Sequence, residues 1–111
     1  MSLYSEYLTE KTNDEILETE NGFATYRFIQ FENIVYIIDI YVRPSHRKTG
    51  LASAMADEIA IKAKKRCITK MIGSVVPSAK NSDESIKVLQ AYGMKLKSAT
   101  NDFIIFEKDL V

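Results

Sequence analysis

The stretch Ile34-Val35-Tyr36-Ile37-Ile38-Asp39-Ile40-Tyr41-Val42-Arg43-Pro44-Ser45-His46-Arg47-Lys48-Thr49-Gly50-Leu51-Ala52 decides the fold. Its first nine residues are β-branched aliphatics or tyrosines but for Asp39. They read as a central strand covered on both faces, because a strand with one wet face would alternate. Pro44 ends the strand. From Leu51 the period changes: Leu51, Met55 and Ile59 recur at i, i+4 and i+8, with Ala52, Ala56 and Ala63 beside them. Residues 51–66 therefore read as an amphipathic helix. Between strand and helix lies a basic turn with Gly50 at its bend. That order builds an anion site, since first-turn amides have no intrahelical partner and the macrodipole adds positive potential. Gly50 carries no Cβ to hold a phosphate off the backbone. Arg47 and Lys48 add charge with no acid beside them in the chain. A phosphorylated ligand is the sharper expectation, and a basic turn capping a helix is the plainer one.

Outward from this stretch the elements follow in order. Residues 23–31 read as a strand after the Asn21-Gly22 turn signal, and Glu32-Asn33 is short enough for a hairpin connection. Residues 71–76 read as a third strand ended by Pro77, and 82–92 as a second helix stopped by Gly93. Segments 94–97 and 103–107 form two closing strands about Asn101-Asp102. Residues 1–20 are weakly patterned, with a helical turn or two expected over 14–18. Glu58 and Lys62 are spaced to pair on the exposed side of the first helix. Strand–helix–strand units with antiparallel flanks give a mixed α/β sheet with helices on both faces, in a single domain over residues 1–111.

Composition narrows the function. Fifteen basic residues balance fifteen acidic ones, so the net charge is zero, which argues against a nucleic-acid partner. A local basic patch over 43–48 remains. The single cysteine, Cys67, excludes an internal disulfide and fits a reducing compartment. The longest apolar run, 34–38, is too short to span a bilayer, so no membrane partner is expected. Residues 1–20 carry Glu6, Glu10, Asp14, Glu15, Glu18 and Glu20, the wrong charge for a targeting peptide. The expected location is the cytoplasm.

Two motifs then carry a resemblance. Val42-Arg43-Pro44 followed by Arg47-Lys48-Thr49-Gly50-Leu51-Ala52 resembles the signature of the GNAT superfamily of acetyl-CoA-dependent N-acetyltransferases. That signature is an apolar strand ending in Val-x-Pro, then Arg/Gln-x-x-Gly-x-Gly/Ala at a helix start. The second helix, Ser85-Ile86-Lys87-Val88-Leu89-Gln90-Ala91-Tyr92-Gly93-Met94, resembles the later family helix that ends in Gly plus a large apolar residue. The likeness covers residues 23–108. It implies acetyl-CoA as co-substrate, no metal, and transfer to a primary amine of a small molecule or a protein. By the same resemblance, the pyrophosphate would lie on Arg47, Lys48, Thr49, Gly50, Leu51 and Ala52. Ile40, Tyr41 and Val42 would hold the pantetheine arm, and Ser85 joins the cofactor set from the second helix. The family's strands equivalent to 34–42 and 71–76 splay apart to admit the cofactor. The amine attacks the acetyl carbonyl directly, so a group or a water chain must take its proton and another must meet the thiolate. A backbone N–H near the strand end would polarise the carbonyl.

The departures from the family pattern name the catalytic candidates. Many members carry a Tyr four residues before the helix-terminal Gly; here it is Leu89, which has no proton to give. The helix-start Asn aligns with Ser82, and Asn81 lies one position off. Tyr92 is the substitute donor, Tyr36 stands where several members place a Glu or His base, and Asp39 interrupts an apolar strand where a cleft-facing carboxylate could act as base. Plainer readings stand beside these: Tyr36 as a strand aromatic, Asp39 as a paired structural acid, His46 packed in the turn, Cys67 as a small buried hydrophobe, and Phe23, Phe28 and Phe31 as core or sheet-face residues. With Leu89 and a short N-terminal region, the alternative function is a non-catalytic CoA-binding or protein-interaction module on the same fold. A small nucleic-acid-binding domain using residues 43–48 is a third reading, set against by the zero net charge. Exposed edge strands near 103–106 point to a homodimer.

Overall fold

The computed structural model describes residues 3–78 and 82–110. Helix α1 (Leu3–Thr12) leads into strands β1 (Glu15–Glu18), β2 (Gly22–Ile29) and β3 (Ile34–Val42). Helix α2 (Leu51–Lys65), strand β4 (Lys70–Val75), helix α3 (Ser82–Ala91) and strands β5 (Lys95–Ala99) and β6 (Ile104–Asp109) follow. The six strands form one sheet in the order β1-β2-β3-β4-β6-β5. Every neighbour pairs antiparallel except β3 and β4, which are parallel and joined through α2. A parallel pair needs such a crossover, while the consecutive antiparallel pairs β1–β2, β2–β3 and β5–β6 need only short connections, and α3 and β5 intervene between β4 and β6. The mixed α/β architecture read from the sequence is the one observed.

The core lies between the sheet and the two later helices. From α2, Met55, Ala56, Ile59, Ala60 and Ala63 are buried, the stripe that the four-residue spacing predicts. They meet Ala24, Tyr26, Val35, Ile37 and Met71 of the sheet. Alanine at three of the five helical positions keeps the backbone of α2 close to the strands. Helix α3 adds Ile86 and Leu89 to the same cluster, and the turn after it adds Tyr92. Leu89 closes over Gly73, where a Cβ would lie 3.4 Å from Leu89 Cδ2. Helix α1 packs on β1 and buries Ser5 and Leu8. Among the described residues, no helix is long and apolar enough to cross a membrane.

Both later helices end in the same way. The Ile68 N–H reaches Ala63 O and the Cys67 N–H reaches Lys64 O, each at 3.0 Å. The Met94 N–H reaches Leu89 O and the Gly93 N–H reaches Gln90 O, again at 3.0 Å. This is the Schellman pattern, with a left-handed residue followed by an apolar one that turns inward. Ile68 and Met94 are those apolar residues, and both are buried. Gly93 stops α3 as its sequence position predicts, with φ 95°. At the end of α2 the left-handed residue is Cys67, with φ 61°.

Several expectations are corrected. Residues 14–18 hold strand β1 rather than helical turns, because Ile16 and Leu17 gain pairing against Thr25 and Ala24. The helix of this region lies earlier, at α1. Strand β2 stops at Ile29, and residues 30–32 form a 3-10 turn that leaves Phe31 exposed, outside the core. Cys67 is exposed, since its left-handed backbone at the helix end directs the next residue inward instead. Lys62 turns toward the Tyr26 hydroxyl at 3.5 Å and lies over that ring, away from Glu58. Strand β3 buries only part of its second row: Ile38, Asp39 and Tyr41 are exposed.

The two helix ends give opposite predictions. Cys67→Gly relieves a left-handed side chain and should stabilise the fold by about 1 kcal/mol. Gly93→Ala meets no clash, its nearest neighbour being Lys108 Nζ at 3.6 Å, but takes on that conformation and should cost about 1 kcal/mol. Thermal or urea unfolding of the two variants measures both signs.

Candidate functional site

The site begins with a bulge. Tyr26 pairs with Ile37 and Thr25 with Asp39, which leaves Ile38 as an extra residue in β3. Such a residue bends the strand and disrupts the ladder locally. On the other edge of β3, the rungs to β4 run from Ile34↔Lys70 to Ile37↔Gly73 and stop there. Strand β3 continues to Val42, while Ser74 and Val75 of β4 stay paired only to Ile105 and Ile104 of β6. Past Ile37 and Gly73 the two strands part, and the β4-facing edge of residues 38–42 is open.

The gap leads to the basic turn. After a 3-10 turn at Pro44–His46, Arg47 is extended and its Nε donates to Val42 O at 3.0 Å. This ties the turn to the strand end and sets the guanidinium 5.9 Å over the Tyr41 ring. Thr49 Oγ1 donates to His46 O at 2.6 Å. Half-buried His46 meets Ser45 Oγ through Nδ1 at 2.9 Å, a contact within the turn. Lys48 at φ 63° and Gly50 at φ 86° are both left-handed, so the chain curls over the helix start. Gly50 is the N-cap and supplies no side-chain acceptor. The first helical bond is Ala54 N–H to Gly50 O at 2.9 Å. Among the described residues, the amides of Lys48, Thr49, Gly50, Leu51, Ala52 and Ser53 have no hydrogen-bond partner. A Cβ at Gly50 would meet nothing within 4 Å. The result is a row of free donors at a helix N-terminus, flanked by exposed Arg47 and Lys48.

The two faces of the sheet differ chemically beside the gap. On the helix face Ile37, Ile40, Ala52, Ala56, Leu89 and Tyr92 line an apolar crevice between α2 and α3. The Tyr92 hydroxyl donates to Asp57 Oδ1 at 2.8 Å, joining the two helices. Burial, and then the hydrogen bond and charge of Asp57, push the Tyr92 phenol well above the usual tyrosine range. Tyr92 is thereby a tie between helices whose proton is already engaged. On the other face, Tyr36 is hydrogen bonded to Ser74 of β4. Asp39 stands opposite Thr25, exposed and, among the described residues, without an ion-pair partner. Tyr41 stacks on Phe23, centroids 5.7 Å apart. The sequence candidates thus fall into two groups: Tyr36, Asp39 and Tyr41 share one face, and Tyr92 lies on the other. Ser85 sits exposed in α3. Asn81 lies outside the described residues, as does the side chain of Ser82.

Sequence reasoning missed Ser74 and Asp57. Neither belongs to a motif, and each is brought in from about 35 residues away by the packing of its element. Among the described residues, no group of three or more His, Cys, Asp or Glu could hold a metal ion.

Residues 7–94 match the model of the Acetyltransferase (GNAT) family. The chain belongs to the GNAT family. No curated protein matches its sequence. Solved structures match its fold. The PaiA N-acetyltransferase from Thermoplasma acidophilum in complex with coenzyme A has a TM-score of 0.76 at 18% identity, over 96% of this chain and 68% of that one. A GNAT family acetyltransferase from Elizabethkingia anophelis with acetyl-CoA bound has a TM-score of 0.72 at 15% identity, over 97% and 85%. Nourseothricin acetyltransferase has a TM-score of 0.70 at 17% identity over 82% of this chain, which spans only 58% of it. The parted strands and the open turn of this GNAT protein thus lie in a fold shared with CoA-bound relatives.

The Tyr92–Asp57 tie is testable by pH. Tyr92→Phe should cost about 1 kcal/mol near neutral pH, the worth of one hydrogen bond to a charged group at a partly exposed site. The folded phenol ionises above its unfolded value, so its contribution is complete below about pH 10 and is lost as pH rises further. In urea melts the advantage of the tyrosine protein over the variant should therefore shrink as pH rises above about 10. Phenolate absorbance should show one late-ionising tyrosine fewer in the variant.

Proposed function

We propose that this chain is an acetyl-CoA-dependent N-acetyltransferase that acetylates a primary amine of a small molecule or a protein. The observation that carries the reading is the row of partnerless amides over residues 48–53, opening onto the gap between β3 and β4. The turn fits a pyrophosphate by its donors, its cations and the space above Gly50. Bound there, acetyl-CoA supplies the activated acyl group. Arg47, Lys48, Thr49, Gly50, Leu51 and Ala52 hold the phosphates, and the edge of Ile40, Tyr41 and Val42 that has no strand partner pairs with the amide-bearing arm. Ser85 approaches from α3. An N–H of that strand edge polarises the acetyl carbonyl. The acceptor enters on the face carrying Tyr36 and Asp39, the two candidates for taking the amine proton. The site works without metal, in a single domain of a cytoplasmic protein.

One observation favours the second reading, a CoA-binding or protein-interaction module without catalysis. Leu89 packs toward Gly73 and the Tyr92 proton is held by Asp57, so neither of these two residues offers a free proton to a departing thiolate.

Calorimetric titration with acetyl-CoA should show binding that Gly50→Val weakens at least tenfold, while unfolding registers a cost of about 1–2 kcal/mol from the left-handed valine. Unchanged affinity in that variant would sink the assignment of the turn. A panel of ethanolamine, a diamine, lysine and a short peptide with a free N-terminus then separates the readings. Acetyl transfer to any of them supports the enzyme, and tight binding without turnover supports the module.

A further inference from the structure

Two hydroxyls meet where the strands part. Tyr36 lies on β3 one residue before the last rung, Ile37↔Gly73, and Ser74 on β4 one residue after it. Their strand neighbours Val35, Ile37, Gly73 and Val75 are buried toward the helices, so both side chains project from the opposite face. The Tyr36 hydroxyl and Ser74 Oγ are hydrogen bonded across the mouth of the gap, and either atom can be the donor. Both residues are half-buried, and among the described residues neither hydroxyl has a second partner. Each oxygen therefore keeps acceptor capacity to spare.

We infer that Tyr36 and Ser74 form a two-hydroxyl relay for the proton of the acceptor amine, with Ser74 the positioning residue that holds the phenol at the gap. The inference rests on the acetyl-transfer reading above. A hydroxyl need not ionise to move a proton, since it can accept one and release its own in the same movement. The amine lone pair forms the C–N bond to the acetyl carbon, and the C–S electron pair leaves on sulfur. The amine proton passes to Tyr36 Oη, the Tyr36 proton to Ser74 Oγ, and the Ser74 proton to water on the open face. The sulfur takes a proton from solvent, and both hydroxyls end as they began. Ser74 never touches the acceptor. It sets where the phenol stands and where the proton exits, which a Tyr36 ring packed in the strand could not settle alone.

The test uses the full chain, acetyl-CoA, and the panel amine turned over fastest. Ser74→Ala and Tyr36→Phe should each lower kcat by roughly 10–100-fold, while the KM for acetyl-CoA stays within about twofold. The double variant should fall no further than the worse single one, because the two groups act as one unit. Ser74→Thr, which keeps the hydroxyl, should recover most of the lost rate. A kcat for Ser74→Ala within about twofold of wild type overturns the relay, as do losses that multiply in the double variant, and both leave acetyl transfer standing. A chain that binds acetyl-CoA and turns over no panel amine removes the reading beneath the relay, and the relay with it.

Discussion

Hydrogen bonding between β3 and β4 lasts for the rungs Ile34↔Lys70 to Ile37↔Gly73 and then gives out beside an unpartnered Ile38. Everything near the site depends on that stop. Had the ladder continued, the edge of residues 38–42 would be consumed by β4 and the basic turn would face a closed sheet. The bulge also shifts the side-chain alternation of β3 by one, which sends Ile40 and Val42 inward with Ile37 while Asp39 and Tyr41 face out. One extra residue therefore opens the backbone and sorts the side chains in a single step.

Much of this was legible in the chain because the signals were local. Val42-Arg43-Pro44 and the run from Arg47 to Ala52 carry strand end, turn and helix start in adjacent residues. The stripe of Met55 and Ile59 needs only helical periodicity, and Gly93 needs only a left-handed backbone. Where the determinants were non-local, the sequence was silent or misleading. Glu15-Ile16-Leu17-Glu18 has helical character alone and becomes a strand because Phe23–Tyr26 offers an edge. Cys67 reads as a small hydrophobe, yet the helix end needed a left-handed residue there and turned it to solvent. The Tyr36–Ser74 and Tyr92–Asp57 bonds depend on register and helix packing that no single segment encodes.

Membership of the GNAT family explains the frame and sharpens what is particular to this chain. On the helix side the crevice is apolar and its one phenol is bound to a carboxylate. On the other side hydroxyls, an exposed acid and an aromatic pair gather along β2, β3 and β4. A single phenol near the gap would leave its direction undecided. Here Asp57 and Ser74 settle the two tyrosines separately, one toward structure and one toward the opening.

The lone parallel pairing has a mechanical consequence. Strands β1, β2 and β3 form one leaf by sequential antiparallel turns, and β4, β6 and β5 form another. The first leaf and the β5–β6 hairpin can zip from residues close in sequence, whereas the β4–β6 pairing and the seam both join distant segments, and the seam holds by the fewer rungs. Helix α2 and the tie from Tyr92 to Asp57 brace it on the helix side, and the Tyr36–Ser74 bond crosses it on the other. A long ligand lying along the seam would add bonds to both leaves at once, acting as a removable strut, and the molecule would be stiffest when loaded.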